Sequence, residues 1–472
     1  MNLDGAKVDF EKSAKVAIRR KQSSHQFSNR TRLIILVSSI TCLTTVYSNS
    51  LGLNFTVICM NDVVHEQSTP GEESSHWLRD PSQTSMLFSA IAIGSLLGSA
   101  PIMYFLEKYG IRFTVVLYGI ISSIATALLP LAVEVGFIYV LLVRIFQGFS
   151  ASFVNSIMGL ISEKWSPLSE AGTFIALLSC AFQFGPILTM PMAAFACESP
   201  FGWRLLYYMQ AGISLVCHIF FFFFFRDMPE LHRHVSDKEL RKISTGRAPT
   251  AERASVPYKE MCKDPCVIGI WLSVIGSNVG FFFSLYYGPT YMSTVLGLNV
   301  KSTAIATALP YIIAACLKFV VGPISDRLTL LSNKTRCIIF AAISQGFHAA
   351  SIITMALTED KLIARIAFTS GIAFCAVNIV GAFKCSQLHA RQYVHFVMTV
   401  VSFSSCFITL FLPLLVSVMC PDNTPTQWSA LLVFIASSII LMNLPFIFVA
   451  NTHPADYTLA VEKSTTNGIH NT

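Results

Sequence analysis

The stretch RIFQGFSASFVNSIMGLISEKWSPLSE, residues 144–170, places one arginine at the start of a long apolar segment. After Arg144, no further charge occurs until Glu163 and Lys164. An arginine inside an apolar membrane helix costs about 2.5–3.5 kcal/mol on insertion scales, so it usually faces a protein interior or a watery cavity. The stretch therefore predicts a membrane span with a charged inner face.

Polar residues continue this face along the helix. Gln147, Ala151 and Asn155 follow Arg144 at i+3, i+7 and i+11, and this spacing places Arg144, Gln147 and Asn155 on one side of a helix. Two interpretations are open. The stripe lines a transport pathway, or Arg144 bonds backbone carbonyls between packed helices. We favour the pathway, because ionisable residues within a membrane are functional candidates by default.

The composition indicates the same class of protein. Of the 472 residues, 53% are hydrophobic and 12% are charged, whereas soluble domains carry about 25% charged residues. Apolar runs of about 20 residues recur, each long enough to cross a bilayer. The net charge of +7 lies largely in polar segments, so it indicates orientation in a lipid bilayer and not nucleic-acid binding. We expect an all-α membrane protein.

The order of apolar and polar segments predicts twelve transmembrane helices in two six-helix bundles. We expect spans at about 32–59, up to FLEKYGIRF at 105–113, 112–134, 137–162, 172–196, 204–225, 266–287, 303–325, 337–357, 361–383, 394–419 and 428–450. The predicted divisions are an N-terminal tail at 1–31, a bundle at 32–225, a linker at 226–265, a bundle at 266–450 and a C-terminal tail at 451–472. Within the linker we expect a helix near Ser236–Ile243 with Ser236 as its cap. The six phenylalanines Phe220–Phe225 at the end of the sixth span are expected to face lipid. No apolar core of signal-peptide type precedes the first span, so we expect the N-terminal tail to stay attached.

The distribution of charge predicts the orientation. The basic segments fall on one side of a twelve-span chain, and the acidic loop at 60–82 falls on the other. By the positive-inside rule, both termini and the linker are expected in the cytoplasm. The sequence leaves the plasma membrane and lysosomal or vesicular membranes equally open.

The two halves repeat a charged turn. FLEKYGIR at 105–112 follows the second span, and GPISDRL at 322–328 follows the eighth. Two bundles of this kind are typical of alternating-access transporters. We interpret the turns as a cytoplasmic gate, although ordinary cytoplasmic charge would explain them too. The predicted gate residues are Glu107, Lys108, Arg112, Asp326 and Arg327.

The thirteen cysteines show no CxxC pair and no metal spacing with histidine. We therefore expect no metal and no cofactor. Most cysteines lie inside apolar runs, where they act as small packing residues. Cys197 and Cys420 lie near span ends on the predicted outer side, so a disulfide between them stays open.

Five collinear pieces resemble the major facilitator superfamily and, more narrowly, the anion:cation symporter family of vesicular glutamate transporters, sialin and type I sodium–phosphate cotransporters. They are RIFQG with KWSPLSE, GPILTMP with FGWRLLYYMQAG, MPELHRHVSDKEL, VPYKEMCKDP with YGPTYMSTVLGLNV and ALPYI, and GPISDRL. The resemblance implies a two-bundle fold and transport of a small anion.

Departures from the family pattern leave Arg144 as the one pathway charge that matches. Ser50, Ala151, Gly159 and Ala171 stand where the family has an arginine, a proton-coupling glutamate, a histidine and an arginine. The sequence LHARQY at 388–393 replaces an Asp-x-Ala-Pro-Arg segment. We predict that Arg144 binds the anionic group, because a guanidinium offers two parallel hydrogen bonds to a carboxylate or phosphate.

Lys318 is a lysine deep in the eighth span, where the family is apolar. It either snorkels to the cytoplasm or provides a second anion contact or titrating group. Gln183 matches a family glutamine and either binds substrate or bridges helices. The predicted substrate site comprises Arg144, Gln147, Asn155, Tyr47, Gln183 and Lys318.

The sequence thus predicts a secondary active transporter for a small organic anion or inorganic phosphate. Its coupling ion, sodium or proton, stays open, as does uncoupled transport. A non-transporting sensor or scaffold on the same fold is one alternative, and a facilitative carrier with a neutral substrate is another. An enzyme is not expected, because the sequence contains no nucleophile–base pair, metal cluster or phosphate loop.

Overall fold

The computed structural model describes residues 30–67, 76–167, 170–244, 256–327 and 331–458. Within these residues, twelve helices are long and apolar enough to cross a membrane, as the sequence predicts. They are α1 (Thr31–Thr56), α2 (Pro81–Ile102), α3 (Tyr104–Val135), α4 (Phe137–Trp165), α5 (Thr173–Glu198), α6 (Arg204–Phe224), α7 (Pro265–Val295), α8 (Val300–Val321), α9 (Asn333–Leu357), α10 (Lys361–Ala390), α11 (Phe396–Met419) and α12 (Pro425–Val449). The α8 helix itself continues to Arg327.

Side-chain caps begin several of these helices. Asp80 and Asp264 accept the amide hydrogens of Ser82 and Cys266 at 2.8 Å, and each is followed by a proline at the first helical position. An acidic cap satisfies free N–H groups, and a proline there loses no hydrogen bond. These short signals explain why α2 and α7 begin where they do.

One glycine breaks the helix near the start of α3. Gly110 has a φ of +81°, which breaks an otherwise continuous helix from Pro81 to Val135. A Cβ at Gly110 would lie 2.9 Å from the Asp227 carboxylate, and this carboxylate accepts the Arg112 amide hydrogen at 2.8 Å. Both the positive φ and the close approach favour glycine.

The two halves share an apolar core at one end and have separate cores at the other. At the end away from the linker, one cluster combines Leu51 and Trp203 of the first half with Tyr291 and Trp428 of the second. At the linker end, Trp165 belongs to a cluster of the first half, whereas the second half has its own cluster of buried side chains, including Met261, Cys337 and Tyr393. The described halves are therefore joined far from the linker and have separate cores near it.

The start of the linker packs against the first half, whereas Met261 near its end belongs to the cluster of the second half. The linker helix Asp237–Ser244 is capped by Ser236, whose Oγ accepts the Glu239 amide hydrogen at 3.1 Å, as the sequence predicts. The Glu239 carboxylate in turn accepts the Thr31 and Arg32 amide hydrogens at 3.3 and 2.8 Å. A carboxylate at a helix N-terminus is favourable, so Glu239 fastens the linker helix to the start of α1.

A second carboxylate reinforces this attachment. Glu170 accepts hydrogen bonds from Arg32 at 2.7 Å and from Lys242 at 2.8 Å. The hydrogen bond from Lys242 is the largest influence on the pKa of Glu170; burial opposes it, and Arg32 acts in the same direction as Lys242, so the pKa lies below its ordinary value. Glu170 thus links α1, the loop before α5 and the linker helix.

Two expectations need correction. Cys197 forms a disulfide with Cys59, whereas Cys420 is a buried free thiol, because the ends of α1 and α5 meet far from the linker. Phe220–Phe225, expected to be lipid-facing bulk, is mixed. Phe221 and Phe225 are fully buried while Phe220 and Phe223 are exposed, since a helix carries successive residues around its whole circumference.

Candidate functional site

Arg144 lies inside the first bundle, fully buried at 1% exposure. Its Nη1 donates to the Ser50 carbonyl at 2.8 Å and to Gln147 Oε1 at 2.9 Å. Longer contacts reach the Leu87 carbonyl at 3.3 Å and Asn54 Oδ1 at 3.5 Å. All these acceptors are neutral. The guanidinium therefore has hydrogen-bond partners but no opposite charge among them.

Gln147 extends this network, as its position on the stripe predicts. Its Oε1 accepts from Arg144, and its Nε2 donates to Thr126 Oγ1 at 3.1 Å. Since both ends of the amide are engaged, the orientation of the Gln147 side chain is fixed. Asn155 lies in the same span, but its side chain falls outside the described residues.

Lys318 bridges the two halves. From α8 its Nζ donates to Gln183 Oε1 of α5 at 2.8 Å, with a longer contact to Ser179 Oγ at 3.4 Å. The ammonium thus points at the first bundle and not along its own helix toward the linker side. Of the two interpretations of Lys318, snorkelling does not describe this geometry. The contact also joins Lys318 and Gln183 of the predicted site directly.

Tyr47 is buried in the first bundle, where it packs against α5. Its ring meets Phe182 edge-on, with centroids 5.0 Å apart. A Cβ on Gly185 would lie 2.6 Å from the Tyr47 ring, so the ring depends on a glycine in α5. The Tyr47 hydroxyl is buried and has no hydrogen-bond partner within the described part of the chain. A buried hydroxyl without a partner is costly.

Two tyrosines that the sequence analysis did not single out face Tyr47 from the second half. Tyr286 of α7 and Tyr311 of α8 lie within electrostatic range of the Tyr47 hydroxyl, and Tyr286 is also within range of Arg144. The Tyr311 hydroxyl likewise lacks a partner among the described residues. Tyr311 belongs to the ALPYI motif, which was the available signal. Tyr286 had none, because it lies within the apolar run FFFSLYY at 281–287.

The predicted gate residues that are described make contacts within the first half. Glu107 and Lys108 are exposed, and Lys108 Nζ donates to Tyr104 Oη at 2.7 Å. The Arg112 guanidinium lies 4.6 Å from the centre of the Phe222 ring. The side chains of Asp326 and Arg327 fall outside the described residues. The gate therefore stays a prediction.

No group of three or more His, Cys, Asp or Glu residues that could hold a metal ion is found among the described residues. The acidic residues of the spans also lie near span ends. They are Glu107, Glu134, Glu163 and Glu198. Chemically, the centre offers a guanidinium, an ammonium, amides and phenolic hydroxyls, and this set can bind an anion through hydrogen bonds.

Known proteins share this sequence pattern and this fold. Over 252 residues the chain is 28% identical to sodium-dependent phosphate transport protein 1 of Mus musculus, covering 52% of the chain and 53% of that protein. It is 26% identical over 279 residues to a probable small intestine urate exporter of Mus musculus, covering 58% and 54%. The matches thus span about half the length of these relatives.

Among solved structures, a bacterial homolog of the human lysosomal transporter Spinster is similar with a TM-score of 0.67 and 13% identity, covering 90% of this chain and 97% of that one. At this identity the likeness supports the fold alone. The family model of the Major Facilitator Superfamily matches residues 34–413. The chain belongs to the Major Facilitator Superfamily.

Proposed function

We propose that this protein is a secondary active transporter that moves a small organic anion or inorganic phosphate across a membrane by alternating access of its two halves. The names of the phosphate transport and urate relatives support an anionic substrate. The anion would bind near the middle of the membrane, where the two bundles face each other.

One observation carries this proposal. Lys318 of the second half reaches Gln183 of the first at 2.8 Å, in an interior where Arg144 is also buried and where the acidic residues of the spans lie near span ends. Two cations without a carboxylate are unfavourable in a bilayer, because charge there is usually paired. An anion bound between them would supply the missing charge.

Each candidate residue has a role in this proposal. Lys318 provides the charge that contacts the anion from the second half, and Gln183 holds the ammonium until substrate arrives. Tyr47 offers a hydroxyl that is free to donate. Arg144 acts together with Gln147 from within the first bundle, and Asn155 is a further candidate on the same stripe of the sequence. The bonds from Arg144 to the carbonyls of Ser50 and Leu87 are also what the structural alternative predicts, so variants must separate the two roles.

Alternating access requires a barrier on each side of the bound anion. We propose that the shared core far from the linker forms one barrier. The charged turns would form the other barrier when the linker ends of the two bundles approach each other. Its residues are Glu107, Lys108, Arg112, Asp326 and Arg327. The termini and linker would be cytoplasmic by the positive-inside rule, in the plasma membrane or a lysosomal or vesicular membrane.

We propose that transport is coupled to sodium or to protons. Uncoupled transport is the third possibility. The apolar Ala151 sits where relatives carry a proton-coupling glutamate, and this favours sodium. Replacing external sodium with choline, and separately collapsing the pH gradient, would distinguish the three cases. Only the sodium substitution should lower uptake if sodium is coupled.

The first test is a binding screen that assumes nothing about coupling. Purified full-length protein is heated in detergent with phosphate, a panel of mono- and dicarboxylates, and neutral sugars of similar size. We expect one class of anions to raise the melting temperature, because a ligand that binds only the folded state stabilises it. Stabilisation by the neutral compounds alone would contradict the anion assignment.

Flux then separates a transporter from a sensor or scaffold. The stabilising anion is offered with a radiolabel to proteoliposomes that contain the protein and to empty liposomes. We expect uptake that saturates with concentration in the protein-containing vesicles only. Binding without uptake, under sodium and proton gradients of both directions, would favour the sensor instead.

A further inference from the structure

Three arginines converge on the end of α6, where the run of phenylalanines leaves the membrane. Arg112, two residues after the break at Gly110 in α3, lies over the Phe222 ring at 4.6 Å. Arg226 Nη1 donates to the carbonyls of Phe223 and Phe225 at 3.1 and 2.8 Å. A basic side chain on the last carbonyls of a helix is favourable, and it fixes Arg226 at the helix end.

The third arginine, Arg233, is connected to the end of α6 by His234. Arg233 Nε donates to His234 Nε2 at 3.0 Å, and the His234 ring lies parallel to the ring of Phe224 with centroids 6.4 Å apart. His232 adds a second support, since its ring meets Phe224 at 5.2 Å and its Nε2 bonds the Phe224 carbonyl at 3.1 Å. The segment after α6 is thereby folded back onto the helix end.

The like charges are close enough to repel each other. Burial lowers the pKa of Arg226, and the charges of Arg112 and Arg233 lower it further, while Asp227 opposes them. Asp227 already serves the turn at Gly110, because its carboxylate accepts the Arg112 amide hydrogen at 2.8 Å. The surface therefore carries more positive than negative charge, and this excess would attract an added anion.

Apolar side chains surround these arginines. Phe223 is 71% exposed, and Met228 and Leu231 are each 50% exposed. Met228 precedes the short turn Pro229–Leu231 that follows α6, and Leu231 ends it. Exposed apolar groups beside arginines at a span end are typical of the boundary between acyl chains and headgroups. We call Arg112, Arg226 and Arg233, with these apolar neighbours, the arginine surface.

We propose that the arginine surface binds the phosphate headgroup of an anionic phospholipid from the leaflet on the linker side. Arg226 and Arg233 contact the phosphate, Arg112 adds charge from beside the break at Gly110, and the acyl chains lie along Phe223 and Phe220. A lipid fits better than a free ion, because the exposed apolar side chains would then be covered as well. The bound lipid would hold the start of the linker against the first half. This site is separate from the proposed transport site.

The test uses purified full-length protein in detergent with short-chain lipids. The probes are dioctanoyl phosphatidylinositol bisphosphate, dioctanoyl phosphatidylserine, dioctanoyl phosphatidylcholine and inorganic phosphate, and binding is measured by thermal shift and native mass spectrometry. The double variant Arg226→Gln/Arg233→Gln removes two charges. Its matched control, Lys259→Gln/Lys263→Gln, removes two charges from exposed residues at the other end of the linker.

We expect the anionic lipids to bind in preference to phosphatidylcholine. The arginine double variant should bind them at least about tenfold more weakly, since each basic residue near a charged membrane surface contributes substantially to attraction. The lysine control and Arg226→Lys/Arg233→Lys should stay within about threefold of the original protein. The proposal is overturned by equal loss in the lysine control, by equal binding of phosphatidylcholine, or by inorganic phosphate competing as well as the lipids.

Discussion

Lys318 Nζ and Gln183 Oε1 lie 2.8 Å apart, and the two residues come from opposite halves of the molecule. The bond crosses the boundary along which the bundles are proposed to move. It lies between the shared core on one side and the separate cores on the other. A change in this bond would therefore follow both the binding of substrate and the separation of the two halves.

Removing the ammonium should loosen the boundary. We expect Lys318→Leu to speed hydrogen–deuterium exchange in peptides of α5 and α8, because the bond from Lys318 to Gln183 is lost. Exchange in α3 and α12 should not change. Lys301→Leu, at an exposed position on the same helix, serves as the control. Equal effects of the two substitutions would mean that the bridge does not hold the halves.

The stability of an Arg144 variant distinguishes the two candidate roles of this residue, which are substrate binding and the packing of helices. Arg144→Met loses hydrogen bonds to neutral acceptors, but it also removes a buried charge that has no opposite charge, and the two effects offset. We therefore expect the free energy of unfolding to change by at most about 1 kcal/mol, while transport is lost. Thermal unfolding in detergent measures the first and uptake the second. A loss of stability above about 3 kcal/mol with transport intact would show a structural arginine.

The ion pairs at the start of α1 should give a dependence on acid pH. The depressed pKa of Glu170 means that its stabilisation is fully present above the unfolded pKa of about 4.3 and is lost as pH falls through the lower folded pKa. We expect Glu170→Gln to cost about 0.5–1 kcal/mol at pH 7, because the pair is partly exposed. The two proteins should converge once the pH has fallen below the lowered folded pKa of Glu170. A difference that persists there would contradict this cause.

The disulfide between Cys59 and Cys197 joins the ends of α1 and α5 far from the linker. We expect Cys59→Ser/Cys197→Ser to lower the free energy of unfolding by about 2–4 kcal/mol. Disulfides persist on the oxidising side of a membrane, so the bond also tests orientation. A membrane-impermeant reductant added to intact cells should cleave it if the protein lies in the plasma membrane. Cys42→Ser, at a buried free thiol, is the control.

The fold could be predicted largely from the sequence because length and hydropathy alone identify membrane spans. The twelve helices, the linker helix and the Ser236 cap depend on local patterns and were found. The Cys59–Cys197 pair was missed, since pairing depends on which span ends meet in space. The partition of Phe220–Phe225 was missed because six identical apolar residues do not show which side of the helix is buried.

The candidate site was harder to predict, because it depends on contacts between distant spans. Periodicity placed Arg144 with Gln147, and the structure joins them. No spacing could show that Lys318 reaches Gln183, 135 residues away along the chain. Tyr286 was likewise not identified, because it lies within an apolar stretch of sequence. The roles of these residues in binding remain proposals.

The most direct test of the central claim is the uptake of the stabilising anion by proteoliposomes with the original protein, Lys318→Gln, Lys318→Arg and the control Lys301→Gln. If Lys318 contacts the anion, Lys318→Gln should raise the KM at least about tenfold, the cost of losing one charge-assisted hydrogen bond. Lys318→Arg should keep most of the affinity, and Lys301→Gln should match the original. Unchanged KM and kcat in Lys318→Gln would contradict an anion site between the two halves.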